Sequence, residues 1–107
     1  MKVTFLGTGT STGIPTIGVE RKSCLSSDKR DNRLRSSILI EYKSKSILID
    51  CGPDFRQQML RINKTKIDAI FFTHEHADHT AGLDDIRPIS FHHGKIPIYA
   101  HKRVVDN

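Results

Sequence analysis

The sequence lacks the hydrophobic runs that a membrane span requires. Its longest apolar stretches are only about five residues, whereas a transmembrane helix needs about 20. The N-terminal stretch MKVTFLG has one lysine and an apolar segment that is too short for a signal peptide. We therefore expect no membrane partner and a cytoplasmic location.

Tryptophan is absent and cysteine is scarce. The two cysteines, Cys24 and Cys51, cannot form the disulfide framework of a small secreted domain, and we expect both to be free thiols. The hydrophobic fraction of 36% and the mean hydropathy of −0.40 are not low enough to indicate disorder. A chain of 107 residues is long enough for one modest core, either as one domain or as part of one.

Basic residues outnumber acidic ones. The chain has 17 Lys and Arg against 12 Asp and Glu, a formal net charge of +5. Much of the excess lies in one segment, RKSCLSSDKRDNRLR, whose simplest interpretation is a solvated loop. The alternative is that the charge serves an anionic partner such as a phosphate ester or RNA.

Hydrophobic periodicity and turn residues predict a layered α/β (α+β) arrangement. A polar turn separates the second and third strands, which predicts a hairpin, and the near-continuous apolar run IDAIFFT predicts a strand buried on both faces. The predicted strands span 2–6, 36–42, 47–50, 67–73 and 96–100, with a helix over 53–63. A short helix is expected between the last two strands.

A glycine-rich stretch, GTGTSTG, follows the first predicted strand. Gly7, Gly9 and Gly13 have the spacing G-x-G-x-x-x-G rather than the dinucleotide fingerprint G-x-G-x-x-G. Pro15 also disfavours a helical conformation at Ile14. We expect a tight turn packed against the functional site. The alternative is that its hydroxyl and amide groups line a substrate cleft.

The stretch FFTHEHADH is dense in potential metal ligands at the end of a predicted buried strand. Its pattern is H-x-H-x-D-H, which differs from the H-E-x-x-H of zincins. His74 and His76, two residues apart on an extended segment, point the same way and can reach one ion. Asp78 and His79 follow the turn and can face a second ion. Imidazole ligands favour Zn²⁺, and the added carboxylate also suits Mn²⁺.

Three segments together resemble the metallo-β-lactamase superfamily, in particular its phosphodiesterase-like branch. They are THEHADHTAGLDD, LIDCGPDFRQQML and VTFLGTGTSTGIPTIG. The tRNA 3′-processing endonucleases lie close to that branch. The resemblance implies an αββα sandwich, of which residues 1–107 resemble the N-terminal half, an incomplete domain.

The resemblance also implies a role for each matching residue. His74 and His76 would bind the first metal ion, and Asp78 and His79 the second. Asp78 would in addition hold or deprotonate the attacking water. Asp50 would orient the histidine stretch through hydrogen bonds without binding metal. The complete site would hold two divalent ions, with Zn²⁺ favoured and Mn²⁺ as the alternative.

The sequence departs from the family pattern in two places. A complete site needs three further ligands, which the family places well downstream, and His92, His93 and His101 match none of those positions. Several members of the branch also have C-x-C-x-x-C where this chain has only Cys24. One thiolate does not make a zinc site, so we expect no structural zinc.

These observations predict a metal-dependent hydrolase that cleaves a small phosphodiester with a hydroxide shared by two metal ions. Such chemistry needs no thiol nucleophile, so Cys51 is not expected to be catalytic. An RNA-processing nuclease of the same fold is the second hypothesis. The third is a non-catalytic half-domain that either folds only partly or pairs with another copy as a homodimer. The 107 residues alone are expected to be inactive.

Overall fold

The computed structural model describes all 107 residues as one mixed sheet with short helices, which confirms the predicted α/β class. The strands are β1 Lys2–Gly7, β2 Ser37–Tyr42, β3 Lys45–Ile49, β4 Ala69–Phe72 and β5 Ile98–Ala100. The helices are α1 Lys22–Leu25, α2 Phe55–Arg61, α3 Ala77–Thr80, α4 Arg87–His93 and α5 Lys102–Val105, with 3-10 turns at Lys29–Asp31 and Leu83–Ile86.

The five strands lie in the sheet in chain order. Strand β2 is antiparallel to both β1 and β3, as the predicted hairpin requires, whereas β3, β4 and β5 are parallel. Strands β1, β3, β4 and β5 therefore run in the same direction, and the loops that follow them lie at one edge of the sheet. This edge is called the site edge below.

One face of the sheet is covered by helices. Alternate residues of the strands, such as Leu39, Leu48 and Ile70, are fully buried on this face because strand side chains alternate between faces. Helix α2 packs Phe55 and Met59 against them. The buried cluster consists of Leu6, Leu39, Leu48, Cys51, Phe55, Met59, Ile67, Ile70 and Ile86.

The opposite face of the sheet is apolar and uncovered. A row of paired residues crosses all five strands: Phe5, Ile38, Ile49, Phe71 and Tyr99. Phe5 is 65% exposed and Tyr99 is 51% exposed, and the rings of Phe71 and Tyr99 stack with centroids 4.7 Å apart. This row is called the open face below. The prediction that the strand around Phe71 is buried on both faces is wrong, because no second layer covers this face.

Several predicted boundaries also differ from the structure. The helix predicted over 53–63 spans Phe55–Arg61, and the strand predicted over 96–100 spans only Ile98–Ala100. The basic segment is not a continuous loop, since it contains α1 and a 3-10 turn. Asp28 caps this turn by accepting the N–H of Arg30. None of the helices has both the length and the apolar character needed to cross a bilayer.

Candidate metal centre

The histidine stretch and Asp50 come together at the site edge because they follow neighbouring parallel strands. Thr73–His79 begins directly after β4, and Asp50 follows β3. The backbone of Asp50 has φ 62°, in the left-handed region that aspartate tolerates better than most residues. This turn ends the strand, and the Asp50 side chain is buried against the histidine stretch.

The carboxylate of Asp50 accepts three hydrogen bonds from the histidine stretch. The backbone N–H of Thr73 donates to Oδ1 over 2.8 Å, and the Thr73 hydroxyl donates to Oδ2 over 2.7 Å. Nδ1 of His79 lies 2.7 Å from the same Oδ2. The Asp50 backbone is fixed as well, because the Ser37 hydroxyl donates to its carbonyl over 2.8 Å. The predicted orienting role of Asp50 has a clear geometric basis.

These hydrogen bonds determine which ring nitrogens are free. The Thr73 hydroxyl donates its one hydrogen bond to Asp50, so its oxygen accepts a hydrogen bond from Nδ1–H of His74, which lies 2.9 Å away. His79 likewise donates its Nδ1 proton to Asp50. In the neutral tautomer set by these contacts, the lone pair of each imidazole is on Nε2, which is the atom that can bind a metal ion.

Asp78 faces the free nitrogen of His79. Its Oδ2 lies 3.0 Å from Nε2 of His79. At this distance a protonated Nε2 would donate a hydrogen bond to the carboxylate, and an unprotonated Nε2 could share a cation with it. Zn²⁺ bonds to nitrogen and carboxylate oxygen of about 2.0–2.2 Å would allow both atoms to contact one ion. The donor set of His79 and Asp78 thus fits a divalent cation.

The three imidazoles of the stretch form a cluster. The ring centroid of His74 lies 4.0 Å from that of His79 and 4.7 Å from that of His76. Nevertheless, no group of three His, Cys, Asp or Glu side chains in the chain is arranged to hold an ion. The four predicted ligands, His74, His76, Asp78 and His79, therefore lie together without enclosing an ion, and they are called the histidine wall below. Their role as metal ligands stays a prediction.

The wall packs tightly against the loop that follows β3. The N–H of Cys51 donates to the carbonyl of His79 over 2.8 Å. A Cβ atom on Gly52 would lie 2.1 Å from the carbonyl oxygen of Asp78, which is closer than any side chain tolerates. Glycine at position 52 is thus required for helix α3, which carries Asp78 and His79, to approach Asp50.

Cys51 is buried beside Asp50 but has no access to the site. Burial, and to a lesser extent the negative charges of Asp85 and Asp50, raises the pKa of the Cys51 thiol to about 12. A thiol with this pKa is protonated at neutral pH and is a poor nucleophile or metal ligand. This supports the prediction that Cys51 is not catalytic.

The remaining histidines lie outside the cluster. His92 and His93 form the exposed end of helix α4. Nδ1 of His92 donates to the carbonyl of Pro88 over 2.7 Å. His101 follows β5 and uses Nδ1 to accept the N–H of Arg103 at the start of α5.

Sequence reasoning missed two residues of the site. Thr73 connects Asp50 to His74, and Ser37 fixes the Asp50 backbone. Thr73 directly precedes the first histidine, and this position was the sequence feature that could have indicated its role in the site. Ser37 had no such signal, because its contact depends on the pairing of β2 with β3.

Comparison with known proteins places this geometry in a family. Residues 45–107, which contain Asp50 and the whole histidine stretch, match the Beta-lactamase superfamily domain. The chain belongs to the beta-lactamase superfamily. A solved diphosphatase of the PhnP family is 50% identical, with a TM-score of 0.93 over 97% of this chain and 43% of that structure. The sheet and helices described above are therefore a metallo-β-lactamase type of fold.

Curated relatives have different names and are much longer. An octanoyltransferase of Porphyromonas gingivalis is 47% identical over 100% of this chain, which covers 22% of that protein. A ribonuclease Z of Methanococcus maripaludis is 34% identical over 92% of this chain, which covers 28% of that protein. The chain thus spans about a quarter of the length of these curated relatives.

Proposed function

We propose that this chain supplies one wall of the metal centre of a metal-dependent hydrolase that cleaves phosphodiesters. The observation that carries the proposal is the network around Asp50, which engages Nδ1 of His79 directly and Nδ1 of His74 through Thr73, and so leaves Nε2 of each ring to bind an ion. The facing pair of His79 and Asp78 places a nitrogen and a carboxylate oxygen 3.0 Å apart, where one cation could contact both. The similar diphosphatase of the PhnP family supports phosphate chemistry.

His74, His76, Asp78 and His79 would hold divalent metal, with Zn²⁺ favoured because three of the four are imidazoles and Mn²⁺ as the alternative. Bound metal would supply Lewis acidity and lower the pKa of water at the site. Asp78, whose carboxylate is 21% exposed, would accept a hydrogen bond from the attacking water and orient it. Asp50 and Thr73 would hold the imidazoles in the required tautomer and orientation.

The remaining ligands would come from residues outside this chain. We propose that residues 1–107 form the N-terminal half of an αββα sandwich and that a second sheet covers the open face in the complete protein. The uncovered row from Phe5 to Tyr99 supports this arrangement, because exposed apolar patches that cross a whole sheet are unusual in monomeric proteins.

Hydrolysis of bis(p-nitrophenyl) phosphate by the complete protein tests the proposal. The protein is stripped of metal with a chelator and then supplied with Zn²⁺ or Mn²⁺. We expect activity to return with metal and His74→Ala to lower kcat/KM by at least about 100-fold. His92→Ala, an exposed histidine on α4, is the matched control and should retain activity. Unchanged hydrolysis by His74→Ala would refute the proposal.

A ribonuclease is the second candidate, and the ribonuclease Z relative favours it. Six basic residues occur between Arg21 and Arg35, in the segment that leads from the site edge back to β2. A phosphodiester polymer would pass along this segment while one of its phosphates lies at the histidine wall. The test is cleavage of single-stranded RNA. Cleavage that His74→Ala abolishes and His92→Ala retains would support a ribonuclease over a hydrolase restricted to small diesters.

A further inference from the structure

The glycine-rich loop after β1 lies at the same edge of the sheet as the histidine wall. Strands β1 and β4 run in the same direction, so Thr8 and Thr73, which follow them, both leave the sheet at the site edge. Three strand spacings separate β1 from β4 in the sheet order. At about 4.8 Å per spacing, the two strand ends are roughly 14 Å apart.

Arg33 is anchored to this loop through its backbone. Its N–H donates to the carbonyl of Ile14 over 2.8 Å, and its carbonyl accepts the N–H of Ile14 over 2.9 Å. The segment also lies directly on the end of β1, since a Cβ atom on Gly7 would be only 1.9 Å from the carbonyl oxygen of Arg35. The backbone that carries the Arg33 side chain is therefore fixed at the site edge.

The guanidinium of Arg33 is charged, exposed and without an acidic partner. Nη1 donates to the Thr8 hydroxyl over 3.0 Å, and no carboxylate forms an ion pair with it. In contrast, Arg30 pairs with Asp28 and Arg35 pairs with Asp54. Because a guanidinium has five N–H donors in a planar fork, most of those of Arg33 remain available for an anion.

Further hydroxyl groups follow Thr8 in the same loop. Thr10 and Thr12 are joined by a hydrogen bond of 3.2 Å, and Thr12 and Thr16 by one of 3.3 Å. Hydroxyls of this kind are frequent partners of phosphate oxygens in nucleic-acid complexes. The loop thus presents one Arg without an acidic partner and several neutral hydroxyl groups. A phosphate group could pair with the charge and accept hydrogen bonds from these donors.

We propose that Arg33 and Thr8 bind a phosphate of single-stranded RNA other than the phosphate that is cleaved. Because the ends of β1 and β4 are roughly 14 Å apart, we assign the histidine wall and this subsite to different phosphates. A small diester would leave the subsite unused, whereas a polymer would fill both. This inference rests on the proposed hydrolase function and selects a polymeric substrate for it.

Binding of a short fluorescent single-stranded RNA, measured by anisotropy in EDTA, tests the proposal without any hydrolysis. We expect Arg33→Ala to weaken binding by about fivefold to tenfold and to lower the slope of log K against log salt by about 0.7. Thr8→Val, which keeps the net charge, should weaken binding by a smaller factor. Circular dichroism of each variant checks that the fold is kept.

Arg30→Ala is the matched control, since it removes the same charge from the same segment but from an Arg that already pairs with Asp28. Its affinity and salt slope should stay close to those of the natural protein. If Arg30→Ala and Arg33→Ala weaken RNA binding equally, the effect comes from the overall charge of the protein, and the proposed phosphate subsite is refuted. If the protein has no diesterase activity but its RNA binding still depends on Arg33, the subsite proposal stands and the proposed hydrolase function is refuted.

Discussion

Nδ1 of His79 lies 2.7 Å from Oδ2 of Asp50, although 29 residues separate them in the sequence. The contact forms because β3 and β4 are parallel neighbours whose C-terminal ends meet at the site edge. Asp50 is 5% exposed, so water does not compete strongly for its carboxylate. The carboxylate therefore acts as a fixed acceptor that sets the orientation of the histidine wall.

We predict that Asp50→Asn weakens metal binding by about 10-fold to 100-fold. An amide has one acceptor oxygen in place of two, and its NH₂ group cannot accept the Nδ1 proton of His79. The measurement is Zn²⁺ affinity of the complete protein by competition with a chromophoric chelator. Asp84→Asn, at an exposed carboxylate that pairs only with Arg87, should bind Zn²⁺ normally. Equal affinity in both variants would refute the orienting role.

We predict that Thr73→Val lowers both metal affinity and hydrolysis, whereas Thr73→Ser retains them. Valine has a similar shape but no hydroxyl, so it breaks the connection from His74 to Asp50. Serine keeps the hydroxyl, and its variant should remain within a few-fold of the natural protein. Chelator competition and kcat/KM are measured on each variant.

Thr65→Val, at an exposed position between α2 and β4, controls for the loss of a hydroxyl as such. If Thr73→Val binds metal as tightly as Thr65→Val does, the hydrogen bonds from His74 through Thr73 to Asp50 do not contribute to metal binding. A loss of melting temperature in Thr73→Ser as large as that in Thr73→Val would indicate a packing role instead.

The sequence predicted the hairpin and the position of the histidine wall, but not the contacts that tie them together. Alternation of apolar and polar residues was enough for β2 and β3. The ligand spacing placed His74, His76, Asp78 and His79 in one stretch after β4, and their role as metal ligands stays a prediction. The relay through Thr73 joins residues 23 apart and depends on the register of two strands. Such a register is not encoded in any one local stretch of the chain.

The exposure of Phe71 shows a second limit of prediction from the sequence. An apolar run predicts burial on both faces, yet burial depends on which layers are present, and this chain provides only one. The basic segment shows a third limit, since its charge suggested a loop while its hydrogen bonds form α1 and a 3-10 turn. The predicted absence of structural zinc at Cys24 stays a prediction.

We predict that the two thiols differ in reactivity. Cys24 is half-buried and exposes part of its side chain, whereas Cys51 is fully buried with its pKa raised to about 12. A disulfide reagent at pH 8 should modify one thiol rapidly in the native protein and the second only after unfolding. The Cys24→Ser variant should show no rapid phase, and equal rates for both thiols would contradict the buried position of Cys51.

The raised pKa of Cys51 also predicts a loss of stability at high pH. Below the unfolded pKa of about 8.5, the thiol is protonated in both states and does not contribute to the pH dependence. Between about 9 and 12 the unfolded state ionises first, so the free energy of unfolding falls by up to about 1.4 kcal/mol per pH unit. Urea unfolding at a series of pH values should show this slope, and Cys51→Ala should lack it.

We predict that the isolated 107-residue chain self-associates through the open face. Phe5 and Tyr99 are more than half exposed there, and burying them against a second copy removes apolar surface from water. Sedimentation velocity should show a concentration-dependent increase in mass, and Phe5→Lys with Tyr99→Lys should reduce it. Phe91→Lys, at an exposed aromatic on helix α4, is the control and should not change association. A monomer at all concentrations would contradict this prediction.

Metal content of the complete protein tests the central claim most directly. After dialysis against metal-free buffer, elemental analysis compares the natural protein with a His74→Ala, His76→Ala double variant and a matched His92→Ala, His93→Ala variant. The account predicts about two divalent ions per chain in the natural protein and in the matched variant, and a loss of metal in the His74, His76 variant. Equal metal content in all three proteins would contradict the claim that the histidine wall binds metal.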